Sequence, residues 1–212
     1  MGSRADLYDS RAEIYDSLMS IVGTAPTLKN LIRMLCAELP ERSRILDLGC
    51  GTGLATGAIL KLRPNAVVSG LDYSEEMLVR YVRKFPRAEA YSGDFNDEST
   101  IRSFPGRRKV RLQHGAYDLV ISTGAVSEYG DLKRVVPLMH RLIRPGGLLI
   151  VVGVKDNLVN KLSSHFWKFK LMSERRLIRG LGGAGFSEIR AISIPTILFP
   201  TNCLKYAVKA RR

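Results

Sequence analysis

Residues 45–53 read Ile-Leu-Asp-Leu-Gly-Cys-Gly-Thr-Gly, an apolar run that passes into three alternating glycines. Because glycine lacks a Cβ, this spacing predicts a tight turn at the end of a buried strand, where the backbone can approach a ligand closely. A phosphate-binding turn needs a further glycine where Leu54 stands, so the spacing disfavours a dinucleotide. Asp47 adds to this, since a carboxylate there would repel a pyrophosphate and attract an ammonium or sulfonium group.

A second acidic residue, Asp72, lies 19 residues after Gly53, at the end of the next predicted strand. A carboxylate at that place can accept hydrogen bonds from both hydroxyls of a ribose. Sites for NAD and sites for S-adenosyl-L-methionine (SAM) both use such a carboxylate. Asp72 by itself therefore leaves both cofactors open.

Short runs rich in Val, Ile and Leu alternate with longer amphipathic segments along the chain. This alternation is typical of a parallel sheet that helices cover on both faces. We therefore expect an α/β fold with a doubly wound, mostly parallel, seven-stranded sheet and a C-terminal antiparallel edge strand. The predicted strands cover residues 44–48, 66–71, 87–91, 117–123, 148–154, 186–194 and 204–209. The predicted helices cover residues 11–19, 27–38, 54–62, 75–84, 132–143, 157–171 and 174–181.

The chain is strongly basic, with 33 basic and 20 acidic residues and a formal net charge of +13. Residues 155–212 hold 12 of the basic and 3 of the acidic residues, so this last quarter should attract anions. The three cysteines show neither a CxxC pairing nor a metal-ligand spacing, which predicts no disulfide framework and no metal site. No run reaches the roughly 18 apolar residues of a membrane span, and no secretory signal is present, so we expect a cytoplasmic protein.

Five motifs in order resemble those of the class I SAM-dependent methyltransferases, and in particular the small-molecule enzymes of the ubiquinone/menaquinone and phospholipid types. The resemblance extends from about residue 8 to residue 209 and implies a single Rossmann-like domain, with SAM as the cofactor. The matching motifs lie at residues 45–53, 70–77, 93–95, 117–121 and 142–147.

The resemblance also implies roles for individual residues. Asp47 and the glycines of the turn would hold the methionine part of SAM, and Asp72 would hold the ribose. Tyr73 and Met77 would contact the faces of the adenine, and Asp94 with Phe95 its edge. The complete predicted cofactor site consists of Tyr15 from an N-terminal lid, Asp47, Gly49, Cys50, Gly51, Gly53, Asp72, Tyr73, Met77, Gly93, Asp94, Phe95 and Thr123.

We divide the single domain into four segments. Residues 1–42 are expected to form an N-terminal helical lid, and residues 43–154 the SAM-binding core. Residues 155–184 would form a helical segment on the acceptor side, and residues 185–212 a hairpin at the edge of the sheet.

Candidate catalytic residues are few. Methyl transfer from a sulfonium mainly requires alignment of the reacting atoms, and a general base is optional. Glu128 and Tyr129 follow the fourth predicted strand and could face the acceptor, or they could be a helix-start acid and a packed aromatic. His165 lies in a segment where related enzymes bind the acceptor, although an ordinary solvated histidine is the favoured interpretation of this position.

The acceptor is expected to be a small or lipophilic molecule, with peripheral association of the protein with an anionic membrane. Residues 158–171 carry an apolar stripe with Trp167, interleaved with Lys161, Lys168 and Lys170, which suits a lipid surface. A core helix with a solvated basic face would give the same pattern. Nucleic acid is a less favoured partner, because residues 122–125 read Ser-Thr-Gly-Ala in place of an Asn-Pro-Pro-Tyr type motif. An RNA methyltransferase and a non-catalytic SAM-binding protein stay as alternatives.

Overall fold

The computed structural model describes residues 24–167 and 169–212. The predicted helix over residues 11–19, the lid residue Tyr15 and Lys168 lie outside these ranges. The described strands are β1 (Arg44–Leu48), β2 (Val67–Asp72), β3 (Glu89–Ser92), β4 (Arg102–Ser103), β5 (Tyr117–Thr123), β6 (Ile143–Val154), β7 (Ser187–Ile192) and β8 (Lys205–Arg211). The described α-helices are α1 (Thr24–Leu35), α2 (Leu54–Leu62), α3 (Glu75–Lys84), α4 (Ala125–Tyr129), α5 (Leu132–Leu142), α6 (Leu158–Trp167), α7 (Glu174–Gly183) and α8 (Thr201–Leu204).

The strands form one sheet in the order β4-β3-β2-β1-β5-β6-β8-β7. β1 lies between β2 and β5 and pairs with both in parallel. The chain leaves β1 towards β2 and β3 on one side and later returns to β5 on the other side. The carboxyl ends of β1 and β5 therefore border a topological switch point, which is where ligands bind in open α/β sheets.

Helices cover both faces of the central strands, which explains the nearly continuous apolar character of those strands. Leu46 and Leu48 point into the core cluster on one face. Ile45 points into the cluster on the other face, where it joins Leu28 of α1 and Ile59 of α2. The described part of the segment predicted as a lid thus contributes α1 to the hydrophobic core.

The sheet has eight strands where seven were predicted. The additional strand is β4, which pairs antiparallel with β3 at the sheet edge. It belongs to a hairpin in which the Ser103 amide donates to the Arg108 carbonyl over 2.8 Å. This segment is short, polar and basic, so it shows no alternation of apolar residues from which a strand could be predicted.

The C-terminal strand β8 is antiparallel to its neighbour β6, as predicted. It lies one position inside the edge, because β7 follows it at the end of the sheet. Burial explains this order: Ala207, Val208 and Ala210 of β8 are buried, whereas β7 has no fully buried residue. None of the helices in the described ranges is long and apolar enough to cross a bilayer.

Close packing between β6 and β8 yields a first prediction. A Cβ at Gly153 of β6 would collide with the ring of Tyr206, whose hydroxyl donates to the Met172 carbonyl over 3.0 Å. Because the buried ring is held in place, Gly153→Ala should lower the free energy of unfolding by about 1–3 kcal/mol, measured by urea denaturation. Gly183→Ala is the matched control, since its Cβ would meet no atom within 4 Å. Equal stability of the two variants would contradict this account.

Candidate functional site

A cavity of about 430 Å³ opens at the switch point. Its wall is formed by the glycine turn after β1, by the ends of β2 and β3 with the loops that follow them, and by the end of β5 with α4. All these parts lie at the carboxyl edge of the parallel strands. The cavity is therefore placed where the order of the strands predicts a ligand site.

The glycine turn adopts a conformation that suits glycine at each of its three positions. Gly49, Gly51 and Gly53 have φ angles of +72°, +51° and +86°. A Cβ on Gly51 would meet no atom within 4 Å, so its backbone faces the open cavity. A Cβ on Gly49 would instead collide with Ala125 of α4. The missing side chains thus let α4 pack directly on the turn and let a ligand approach the Gly51 backbone.

Asp72 joins the turn to the next loop. One carboxylate oxygen, Oδ2, accepts a hydrogen bond from the Gly51 amide over 2.8 Å. The other, Oδ1, accepts from the Ser74 amide over 2.9 Å, and the Ser74 hydroxyl in turn caps α3 by accepting from the Met77 amide. The carboxylate lines the cavity and is held in position by neighbours on two segments.

Asp47 lies beneath the turn and is fully buried. Its Oδ2 accepts a hydrogen bond from the Thr56 hydroxyl over 2.8 Å, but its Oδ1 has no hydrogen-bond partner among the described residues. Burial raises the pKa of this carboxyl from 3.8 to about 7; the nearby Asp72 also raises it, while the hydrogen bonds from Thr56 lower it. A buried acid with a free oxygen is suited to a positively charged group above the turn.

Asp94 and Asn96 close the cavity on the side of β3. The Asp94 Oδ1 accepts from the backbone amide and from the side-chain amide of Asn96, both over 2.8 Å. Asn96 then reaches the opposite wall, where its Oδ1 accepts from the Asp131 amide over 2.7 Å and its Nδ2 donates to the Tyr129 carbonyl over 3.3 Å. This asparagine therefore holds the two walls of the cavity together.

Most of the predicted site residues meet in the cavity, and four lining residues were missed. Three of these four lie directly beside predicted site residues, and Ala125 follows the missed Gly124. The predicted residues that line the cavity are Gly49, Gly51, Asp72, Tyr73, Met77, Asp94, Phe95, Thr123, Glu128 and Tyr129. The missed lining residues are Ser74, Asn96, Gly124 and Ala125.

Five predicted residues in the described ranges do not line the cavity: Asp47, which lies beneath the turn, and Cys50, Gly53, Gly93 and His165. The Cys50 side chain is buried in a small core cluster with Tyr81. A Cβ on Gly53 would collide with Phe85, and one on Gly93 would lie 2.9 Å from Cα of Ile101, so both glycines serve close packing.

His165 lies on α6, is exposed and does not line the cavity described above.

Among the predicted catalytic candidates, Glu128 combines a place in the cavity wall with a carboxyl whose pKa is shifted. It lies on α4 in the cavity wall. Burial raises the pKa of its carboxyl, and the positive charge of Lys205 opposes this effect. Tyr129, next to it, lines the same wall and packs edge-on against Phe169, with ring centroids 6.4 Å apart.

Comparison with known proteins agrees with this fold. Residues 46–149 match a family model described as a methyltransferase domain. A trans-aconitate 2-methyltransferase of Deinococcus radiodurans is 33% identical over 122 residues, which are 56% of this chain and 42% of that protein. A malonyl-[acyl-carrier protein] O-methyltransferase of Magnetococcus marinus is 28% identical over 131 residues, which are 58% of this chain and 43% of that protein. The matched region thus spans less than half the length of these relatives.

Two solved structures share the fold. Phosphoethanolamine N-methyltransferase 2 of Haemonchus contortus, in complex with SAM, has a TM-score of 0.73 at 13% identity. The match covers 100% of this chain and 60% of the Haemonchus chain. A putative methyltransferase of Haloferax volcanii, in complex with the Trm112 activator, has a TM-score of 0.72 at 18% identity, with 96% of both chains covered. Residues 46–149 therefore match the methyltransferase domain family, and the chain shares the Rossmann-like fold of these methyltransferase structures.

The residues of the cavity fit the cofactor that this family implies. SAM carries a ribose, an ammonium and a sulfonium, and the described wall offers a carboxylate at Asp72, an open backbone at Gly51 and a buried acid at Asp47 beneath the turn. A side chain at Gly51 would extend into the cavity that the cofactor needs. The side chains that could hold the cofactor are acidic, whereas its ammonium and sulfonium groups are positively charged.

The buried carboxyl of Asp47 yields a second prediction. Between about pH 4 and pH 7 the unfolded chain releases this proton while the folded protein retains it, so stability falls as the pH rises through this window. In the absence of ligand, Asp47→Asn should raise the free energy of unfolding by about 2 kcal/mol near pH 8, because removal of the charge outweighs one unpaired amide. Urea denaturation should show this gain shrinking as the pH is lowered towards about 5. A loss of stability near pH 8, or a gain independent of pH, would show that Asp47 is not strained by burial.

Proposed function

We propose that this protein binds SAM at the switch-point cavity and transfers its methyl group to a small or lipophilic acceptor. The observation that carries the proposal is the Asp72 carboxylate, held over the glycine turn by the amides of Gly51 and Ser74. The match of residues 46–149 to the methyltransferase domain supports the activity.

In this proposal, the predicted site residues keep the roles that the family resemblance implies. Asp72 holds the ribose, Tyr73 and Met77 flank the adenine, and Asp94 with Phe95 contacts its edge. Asp47 and the glycine turn hold the methionine side, with Cys50 and Gly53 as packing supports, and Gly93 supports the loop after β3 that carries Asp94. The lid over residues 1–42 with Tyr15, the core of residues 43–154, the acceptor-side segment 155–184 with His165 and the hairpin 185–212 are parts of the same proposal.

SAM supplies a methyl group on a positively charged sulfur. The task of the protein is to align the acceptor with this methyl group and to exclude water from the reacting atoms. Thr123, Glu128 and Tyr129 line the same cavity, and in this proposal they face the acceptor.

Label transfer from SAM tests the proposed function. The wild type should transfer radiolabelled methyl groups to the lipid or small-molecule fraction of a cell extract, and Asp72→Ala should lose this transfer together with about tenfold or more of its SAM affinity by calorimetry. The control is Glu41→Ala, an exposed carboxylate before β1 at the opposite edge of the sheet. Undiminished SAM binding by Asp72→Ala would refute the site.

The fraction that carries the label separates the alternatives. Label in the RNA fraction, with binding that weakens steeply as salt increases, would indicate an RNA methyltransferase instead. SAM binding without label in any fraction would indicate a non-catalytic binding protein.

We further propose that the protein associates with a lipid surface, and exposed apolar residues on two segments support this. Leu158 and Leu162 of α6 are 78% and 71% exposed, and Ile197 and Phe199, in the connection between β7 and β8, are 86% and 69% exposed. Both segments lie at the carboxyl edge of β6, since Asn160 of α6 donates to the carbonyl of Leu204 over 2.9 Å. Apolar side chains within the most basic quarter of the chain suit an anionic membrane.

Vesicle binding tests this part. The protein should sediment with vesicles rich in phosphatidylglycerol, and Leu162→Glu should weaken that binding by about tenfold, because it places a negative charge against an anionic surface. Met34→Glu on α1 is the matched control, since Met34 is also an exposed apolar residue. Equal binding by the two variants, or no binding by the wild type, would overturn the membrane proposal.

A further inference from the structure

The charges that line the cavity are all negative in the described part of the chain. Three carboxyl groups face it, those of Asp72, Asp94 and Glu128, and no lysine, arginine or histidine of the described ranges lines it. This is unexpected for a protein with a net charge of +13. The positive charges of residues 24–167 and 169–212 therefore lie outside the cavity, and the described wall is acidic.

Two of the three carboxyl groups already have partners. Asp72 accepts from two backbone amides, and Asp94 accepts twice from Asn96. Glu128 differs, because no described residue donates a hydrogen bond to its carboxyl, and the nearby positive charge of Lys205 lowers the pKa of that carboxyl. Of the three lining carboxyl groups, it is the one to which no described residue donates a hydrogen bond, so both of its oxygens can accept from a ligand.

Packing within and around α4 fixes the position of the Glu128 carboxyl. A Cβ on Gly124 would lie 3.1 Å from Oε1 of Glu128, so the carboxyl lies close over this glycine. The Glu128 amide donates to the Gly124 carbonyl over 3.0 Å, which fixes the helical turn that carries it. Ala125, between them, packs on Gly49 of the glycine turn. The carboxyl is thus held one helical turn away from the proposed cofactor turn.

A carboxylate in such a place discriminates between ligands by charge. In a partly enclosed wall, a cationic or hydrogen-donating group on the ligand gains a charge-assisted hydrogen bond. An anionic ligand would bring a like charge against Glu128 without a counter-ion among the described lining residues. The wall therefore favours an amine over a carboxylate.

We propose that the acceptor is an amine and that Glu128 is the residue that selects it, by binding the amine nitrogen opposite the proposed cofactor site. This inference rests on the proposed function and adds the chemical class of the acceptor to it. The specificity-determining pair consists of Glu128, which contacts the acceptor, and Gly124, which positions the carboxyl.

The same carboxylate accounts for the proton that an amine must lose. The bound ammonium first passes one proton to the Glu128 carboxylate, which frees the lone pair of the nitrogen. The lone pair then forms a bond to the methyl carbon while the carbon–sulfur bond breaks and its electron pair stays on sulfur, and Glu128 releases its proton to water. The products are the N-methylated ammonium, the neutral thioether S-adenosylhomocysteine and one proton, so charge and atoms balance. The raised pKa of Glu128 favours this proton transfer.

Calorimetry with simple probes tests the inference without turnover. The wild type, Glu128→Gln and the control Glu41→Gln are saturated with S-adenosylhomocysteine near pH 8 and titrated with n-hexylamine and n-hexanoate, which differ only in their polar group. The wild type and the control should bind hexylamine about tenfold or more tightly than hexanoate. In Glu128→Gln this preference should fall to about onefold, because the amide is isosteric and uncharged.

The outcomes separate the two proposals. Equal affinity of the wild type for hexylamine and hexanoate, or an amine preference that survives in Glu128→Gln, would overturn the role of Glu128. In that case, S-adenosylhomocysteine binding by the wild type would still support the proposed function. A wild type that does not bind S-adenosylhomocysteine would instead remove the proposed function, and this inference with it. Unchanged S-adenosylhomocysteine affinity in Glu128→Gln serves as the check that the variant is folded.

Discussion

The hydrogen bonds of Asp72 to the amides of Gly51 and Ser74 are the interaction on which the cavity depends. They join the loops that follow two neighbouring parallel strands, β1 and β2. The bond to Ser74 is local and the bond to Gly51 crosses to the neighbouring loop, so one carboxylate satisfies an amide of each loop and keeps a fixed place in the wall. The same backbone geometry leaves the Gly51 surface open to a ligand.

Electrostatics divide the molecule into an acidic cavity and a basic exterior. The buried Asp47, with its raised pKa and its free Oδ1, lowers the stability of the ligand-free protein near neutral pH. A cationic cofactor would relieve this cost, which links binding to stability. Outside the cavity, the basic last quarter and the exposed Leu162 and Ile197 suit an anionic, apolar surface.

The cavity wall at α4 is built by close packing at glycines. Gly49 lets α4 pack on the glycine turn, and Gly124 lets the Glu128 carboxyl lie over the backbone. The Asn96 side chain then ties this wall to the loop after β3. The two walls of the cavity are therefore joined by short, direct contacts.

The sequence by itself determined the class of fold and the part of the cavity formed by the glycine turn and Asp72. Strand periodicity, the glycine spacing of residues 49–53 and the placing of Asp72 are local signals, and a parallel sheet brings the ends of its strands together. Tertiary structure alone decided the two-residue strand β4, the position of β8 inside the edge, the bridging role of Asn96 and the isolation of Glu128. Each of these depends on contacts between segments distant in the chain, whose burial and hydrogen-bond partners no local pattern encodes.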